Sequence, residues 1–139
     1  MPLKETDFAY FAGIVDGEGC IRVNNAPRLH ITNTDKNLID WIKVNYGGYV
    51  WSENGSYVDN AKPRYIWELS SRKLYSLLLL IHPYLKIKRR QAELVIKYYE
   101  SGIKTHISCR SKTLNLREEL QRINHKGVIN KLEVKYAVA

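Results

Sequence analysis

The sequence predicts an α+β domain in which four strands form a sheet and helices cover one face of that sheet. Two pairs of short strands alternate polar with apolar residues, and helical patterns stand before, between and after these pairs. Further helical segments fill the C-terminal third of the chain. With 139 residues, 45% of them hydrophobic, the chain is expected to form one compact domain over residues 1–139.

The first helix is predicted over residues 7–16, because Thr6 is a suitable N-cap and apolar side chains follow it at helical spacing. The strand that comes next, within GEGCIRVNN, alternates polar with apolar residues. A turn at 25–27 leads to a second strand over 28–32, which alternates in the same way. The sequence therefore begins with a helix and a strand pair.

The second half of the predicted domain repeats this arrangement. Its elements are a helix over 35–46, strands over 49–53 and 64–70, and helices over 71–81, 87–100 and 114–124. The element order is therefore αββαββα, followed by C-terminal helices. We expect a core domain over 5–102 and a helical extension over 103–139.

A net charge of +8 and a pI of about 9.5 indicate a polyanionic partner, and nucleic acid is the first candidate. A basic surface that is merely well solvated is the alternative. The polar faces of the two strand pairs favour nucleic acid, because they combine arginine, asparagine, histidine and tryptophan in a pattern that fits a duplex groove.

The longest apolar run, at 77–81, is far shorter than the roughly 20 residues that a membrane span needs. The N-terminal segment MPLKETDF has no apolar signal region. We therefore expect an intracellular protein, in the cytoplasm or an organelle, without a membrane partner. The two cysteines, Cys20 and Cys109, lack zinc-ligand spacing, and both are expected to be reduced thiols.

The segment FAGIVDGEG, at residues 11–19, combines three glycines with two acids, although glycine in a helix interior costs roughly 1 kcal/mol against alanine. Ala9, Gly13 and Gly17 lie four residues apart and form a stripe of very small side chains along one face of the predicted helix. Such a stripe permits close approach of a partner helix or of the chain's own sheet. If the partner is a symmetric copy, two Glu18 carboxylates meet near the two-fold axis, where divalent cations would relieve their repulsion.

FAGIVDGEG resembles the LAGLIDADG motif of homing endonucleases, with Phe11 in place of the leading leucine. The αββαββα order is similar to the repeat unit of that family. The stretch PYLKIKRRQAELVIKYY resembles the family segment that carries the active-site lysine, which implies Lys88 for that role. LHITNTDKNL resembles the end of the family's second strand, which implies that Asn33 lies near the attacking water. The resemblance covers most of residues 5–100.

The resemblance implies an intron-encoded, site-specific endonuclease that cleaves double-stranded DNA by metal-dependent phosphodiester hydrolysis and leaves 3′ overhangs. A single motif implies a homodimer on a long pseudo-palindromic site, with the sheet as a DNA-binding saddle. Glu18 and the Gly17 carbonyl would bind Mg²⁺ or another divalent cation such as Mn²⁺. Lys88 would stabilise negative charge, and Asn33 would orient water.

The implied dimer interface consists of Ala9, Ala12, Gly13, Asp16 and Gly17. Asp16 is expected to have a structural role at the helix end, where an acid opposes the helix dipole and needs a hydrogen-bond partner. The residues expected to contact DNA are Arg22, Asn24, Arg28, His30 and Thr32 on the first strand pair, and Trp51, Glu53, Lys62, Arg64 and Ile66 on the second. The polar segment 54–60 is expected to contact phosphates at the edge of the site.

Two other functions remain open at this point. The first is a binding protein of the same fold, either an RNA maturase that assists intron splicing or a DNA-binding protein that has lost cleavage. The second is a basic, ferredoxin-like adaptor protein unrelated to the endonuclease family. This alternative does not explain the glycine stripe or Glu18.

Overall fold

A computed structural model describes residues 2–54, 62–102 and 106–125, and in the last range it describes side chains for 112–124. The helices are α1 (Glu5–Glu18), α2 (Lys36–Tyr46), α3 (Ser71–Ile81), α4 (Arg89–Glu100) and α5 (His106–His125). The strands are β1 (Gly19–Val23), β2 (Pro27–Asn33), β3 (Tyr49–Glu53) and β4 (Arg64–Ser70). A 3₁₀ turn at His82–Tyr84 follows α3.

The predicted α+β class and αββαββα order are confirmed, and the bounds differ most in α1 and α5, with shifts of one or two residues in β2, α2 and α4. α1 runs from Glu5 through Glu18, so it is two residues longer at each end than predicted, and its N-cap is Lys4 instead of Thr6. α5 begins at His106 instead of 114. The prediction missed its first turns because they are polar and lack the apolar periodicity that signals a helix. Residues 55–61, 103–105 and 126–139, parts of the predicted phosphate-contacting segment and C-terminal extension, lie outside the described residues.

The four strands form one antiparallel sheet in the order β1-β2-β4-β3. β2 and β4, one from each strand pair, lie side by side at its centre. Ile31 of β2 is paired with Gly19 of β1 on one side and Trp67 of β4 on the other. This register joins the two halves of the chain directly beneath the end of α1.

One face of the sheet packs against α1, α2 and α3 to form the core. The strand residues buried on this face are Ile21, Val23, Leu29, Ile31, Trp67 and Leu69. Trp67 is fully buried, and its indole Nε1–H donates to the Gly47 carbonyl at 2.7 Å. The largest core side chain therefore has its polar atom satisfied, as burial requires.

The two edges of the sheet differ in how they are protected. α5 lies along β1, where Asn124 Nδ2 donates to the Ile21 carbonyl at 3.3 Å and Leu120 joins the core. An uncovered strand edge invites pairing with other chains, so this helix blocks one such site. β3, at the other edge, is exposed at all five residues. None of the described helices combines the length and apolarity that crossing a membrane requires.

Candidate active site and nucleic-acid interface

The C-terminal end of α1 places the two candidate metal ligands next to each other. Glu18 is the last residue of α1, and both Glu18 and Gly17 are exposed. Their carboxylate and carbonyl oxygens are donors of the type that Mg²⁺ accepts. Across the described residues, no group of three His, Cys, Asp or Glu side chains could hold a metal ion. A cation here would need further donors from water, phosphate oxygens or a second copy of the chain.

The step from α1 into β1 depends on Gly19. Its φ of −78° is open to any residue, so its backbone conformation does not require glycine. A Cβ at Gly19, however, would lie 2.6 Å from the Val15 carbonyl oxygen, far inside van der Waals contact. The missing side chain lets β1 leave the helix immediately after Glu18, so the candidate ligand sits at the helix–strand junction.

Asp16 holds the segment that carries Lys88 against the end of α1. Its Oδ2 accepts a hydrogen bond from the Lys86 N–H at 2.9 Å, and its Oδ1 accepts from Ile87 and Lys88 at 3.1 and 2.9 Å. Backbone N–H groups that donate to a carboxylate make charge-assisted bonds, which are stronger than neutral ones. The partner expected for Asp16 is thus a loop distant in sequence, and the carboxylate points into its own protomer.

A second contact joins the same two regions. The Tyr84 hydroxyl donates to Glu5 Oε1 at 2.6 Å, which links the 3₁₀ turn to the first turn of α1. The carboxylate beside it raises the pKa of the Tyr84 hydroxyl. The segment that leads to Lys88 therefore contacts both ends of α1, and the Lys88 side chain is half-buried.

Asn33 is the last residue of β2, at the end of the sheet where α1 meets β1. Since Gly19 pairs with Ile31, Asn33 lies two residues farther along β2, toward the end of α1. Its Oδ1 accepts the Asp35 N–H at 2.8 Å, next to the point where Asp35 caps α2. This bond orients the amide and leaves Nδ2–H₂ as its donor. Glu18, Lys88 and Asn33 thus come from three separate segments.

The small residues of α1 lie on its exposed side. Ala9, Gly13 and Gly17 are exposed, and Tyr10 beside them is 58% exposed. A Cβ added at Gly13 or Gly17 would meet no described atom within 4 Å, so the described chain does not occupy this stripe. Ala12 differs from the other predicted interface residues, because it is fully buried in the protomer's own core.

The face of the sheet that points away from the helices, here called the outward face, carries side chains in rows across the strands. The first row holds Arg22, Arg28 and Ser70, the second holds Cys20, His30, Glu68 and Tyr49, and the third holds Thr32, Ile66 and Trp51. Most residues predicted to contact DNA fall in these rows. Ile66 is only 7% exposed, however, so it packs within the face.

The remaining predicted contacts lie at the margins of the outward face. Asn24 is exposed in the turn after β1, and Lys62 is exposed just before β4. Glu53 and Arg64 pair across β3 and β4 through an ion pair of 3.0 Å. Both side chains are about half exposed, so this pair contributes little to stability and can open to a ligand.

Glu68 is a residue of the outward face that sequence reasoning missed. It pairs with Arg28 at 2.9 Å, and its side chain is 17% exposed. The pair holds the guanidinium of Arg28 in one position, so a base approaching Arg28 would compete with Glu68. The sequence does contain a signal for Glu68, because side chains alternate along a strand and Glu68 follows Arg64 and Ile66 on the same face of β4.

Cys20 is a second residue with chemistry that the sequence did not show. His30, its cross-strand partner, lowers the pKa of the Cys20 thiol to about 7 by hydrogen bonding, although partial burial opposes this shift. The Arg22 Nε–H also donates to Cys20 Sγ at 3.1 Å. A substantial fraction of this thiol is therefore ionised at neutral pH.

Several solved structures share this fold. The homing endonuclease I-CvuI, in complex with I-CreI target DNA in the presence of 2 mM Mg, is similar with a TM-score of 0.70 and 22% identity over 86% of this chain and 82% of that chain. I-CvuI with its own target and 2 mM Ca gives the same values. The archaeal intron-encoded homing endonuclease I-Vdi141I, complexed with DNA, has a TM-score of 0.69 and 20% identity over 88% and 87%. No protein-family model and no curated protein matches the sequence.

Proposed function

We propose that this chain, which has the fold of the LAGLIDADG homing endonucleases, is a site-specific endonuclease for double-stranded DNA. The observation that carries the proposal is the set of hydrogen bonds from residues 86–88 to Asp16, which brings Lys88 to the end of α1. That contact fixes the backbone of the segment that carries Lys88 to the last turn of α1, which ends in Glu18. A protein that only binds DNA needs neither Glu18 nor Lys88 at this position.

Glu18 and the Gly17 carbonyl would hold a divalent cation, Mg²⁺ or Mn²⁺, at the scissile phosphate. The structural neighbours described with Mg and Ca are consistent with this dependence. A bound cation would lower the pKa of a coordinated water and polarise the phosphodiester. Lys88 would place positive charge beside the phosphate, and Asn33 Nδ2 would donate a hydrogen bond to a water and orient it.

The protein would act as a homodimer through the exposed stripe of α1. Open space next to Gly13 and Gly17 allows two copies of α1 to approach closely about a two-fold axis. This arrangement would bring both Glu18 residues to the centre of a pseudo-palindromic site, where each cuts one strand. Cuts across the minor groove on this axis would leave 3′ overhangs.

The outward face of the sheet would lie in the major groove. Arg22, Arg28 and His30 supply donors that suit base edges, and the net charge of +8 favours association with the phosphate backbone. The Arg28–Glu68 pair would give specificity, because a base that accepts from Arg28 must replace Glu68.

Cleavage of a randomised duplex library with Mg²⁺, followed by sequencing of the cut ends, tests the proposal. We expect specific double-strand cuts that Glu18→Gln and Lys88→Ala abolish while duplex binding is retained. Cutting that survives Glu18→Gln would contradict the metal assignment. Binding to intron RNA without any DNA cleavage would instead identify the maturase alternative, and duplex binding without cleavage would identify a DNA-binding protein of this fold.

A further inference from the structure

A cavity of about 340 Å³ lies between β1 and α5, next to the outward face of the sheet. Arg22 lines it from β1, and Arg117 and Gln121 line it from α5. Two asparagines, Asn24 and Asn124, add further amide groups. The described residues that line this cavity include no carboxylate, so its polar groups can offer two positive charges and several N–H donors.

The two arginines are differently placed, but neither pairs with a carboxylate among the described residues. The Arg22 Nε–H donates to Cys20 Sγ, and its cross-strand neighbour Arg28 is already paired with Glu68. Arg117 forms no ion pair in the described part of the chain. Two guanidinium groups around one cavity, neither of them paired with a carboxylate of the described residues, are an arrangement typical of phosphate recognition.

We propose that this cavity binds a phosphate group, supplied by the backbone of the duplex that lies on the outward face. Arg22 belongs to both surfaces, which makes the cavity continuous with the DNA interface. The inference rests on the proposed DNA binding and extends it to α5, which covers the edge of β1. α5 would then have two roles, since it protects the strand edge and adds a backbone contact beyond the sheet.

The salt dependence of duplex binding tests the inference without knowledge of the cleavage target. Each phosphate contact steepens the fall of log K with log salt by about 0.9 on duplex DNA. We therefore expect Arg117→Gln to reduce the magnitude of this slope by about 0.9 for each bound protomer, with a fixed duplex of mixed sequence as the probe.

Arg122→Gln is the matched control. Arg122 lies on the same helix, carries the same charge, and pairs with Glu119 at 3.8 Å instead of lining the cavity. This variant should retain the slope of the unaltered protein. If Arg117→Gln also retains it, or if both variants lose slope equally, the cavity does not hold a phosphate.

Inorganic phosphate provides an arm that does not need DNA. Because Cys20 also lines the cavity, a bound phosphate should slow alkylation of Cys20 by iodoacetamide, and Arg117→Gln should remove that protection. Cys109→Ser is used as the background, so that Cys20 is the only thiol. If Arg117→Gln reduces the salt-dependence slope of duplex binding but inorganic phosphate does not protect Cys20, the cavity binds the phosphate of a duplex and not free phosphate.

The two arms separate failure of this inference from failure of the proposed function. If the unaltered protein does not bind the duplex, the nuclease proposal fails. Protection of Cys20 by inorganic phosphate that depends on Arg117 would then still support the cavity as a phosphate site. Absence of protection in that case would overturn the inference as well.

Discussion

At the residue scale, the three glycines of FAGIVDGEG differ in why glycine stands at each position. Gly19 is required inside the protomer, because a Cβ there would lie 2.6 Å from the backbone oxygen of Val15. Gly13 and Gly17 face open space and have no such internal reason. Since glycine weakens a helix interior, the cost at these two positions points to an external partner. Substitution separates the two explanations.

We predict that Gly19→Ala lowers the free energy of unfolding by about 1–3 kcal/mol, because the added methyl group must displace backbone. Gly13→Ala, in protein dilute enough to be monomeric, should raise it by up to about 1 kcal/mol through helix propensity. Urea denaturation of both variants gives the comparison. Equal effects of the two substitutions would contradict the close approach at Gly19.

Cys20 provides a prediction about pH. Because the pKa of its thiol is lowered from 9.0 to about 7, its thiolate forms at lower pH than that of an ordinary cysteine. The alkylation rate of Cys20, measured in the Cys109→Ser background, should rise to half its maximum near pH 7. His30→Ala should move this midpoint upward, since His30 is the largest cause of the shift. A midpoint that stays in place would exclude His30 as the cause.

At the scale of elements, α1 organises the candidate site through its side chains at both ends. Asp16 holds the segment before α4, and Glu5 accepts a hydrogen bond from Tyr84. These contacts bridge about half the length of the chain, so they cannot arise from local propensity. The position of Lys88 therefore depends on a carboxylate two residues before the candidate metal ligand.

Asp16→Asn should loosen this connection, because an amide offers one acceptor oxygen where the carboxylate binds three N–H groups with two. We expect a loss of about 1.5–3 kcal/mol in the free energy of unfolding. Amide hydrogen exchange at residues 86–88 should also accelerate selectively.

Asp35→Asn is the control for Asp16→Asn. Asp35 caps α2 through one bond to the Leu38 N–H, and asparagine caps helices as well as aspartate does. This variant should leave stability and exchange at 86–88 unchanged. Unaltered exchange at 86–88 in Asp16→Asn would show that these bonds do not hold the segment.

At the scale of the whole molecule, the sheet separates two tasks. One face carries the apolar core under the helices, and the other carries rows of polar and basic side chains. The exposed stripe of α1 lies outside both faces and is available to a second protomer. The described residues of one protomer offer an incomplete set of metal donors, so assembly and catalysis are expected to depend on each other.

Gly13→Leu should weaken self-association, because a branched side chain cannot fit between closely packed helix backbones. Light scattering across a dilution series should show a dimer for the unaltered protein and a shift toward monomer for the variant. Val44→Ala, at an 83% exposed position on α2, is the control and should not change association. An unaltered protein that remains monomeric even on DNA would contradict the two-fold arrangement.

The sequence by itself determined the element order, the inward and outward phases of the strands, and the motif that contains Glu18. These properties follow from local periodicity and turn chemistry, which are written within short windows of the chain. Arg22, Arg28 and His30 were expected on the polar face of the first strand pair for this reason, and all three lie in the rows of the outward face. The start of α5 escaped prediction because its first turns lack an apolar period.

Only the tertiary structure decided which distant groups meet. It placed the amides of 86–88 on Asp16, Glu68 on Arg28, and Arg117 beside the cavity that Arg22 lines. It also buried Ala12, which neighbours the exposed stripe in sequence. Such contacts join residues tens of positions apart, and they are set by how helices and strands pack, which no local pattern encodes.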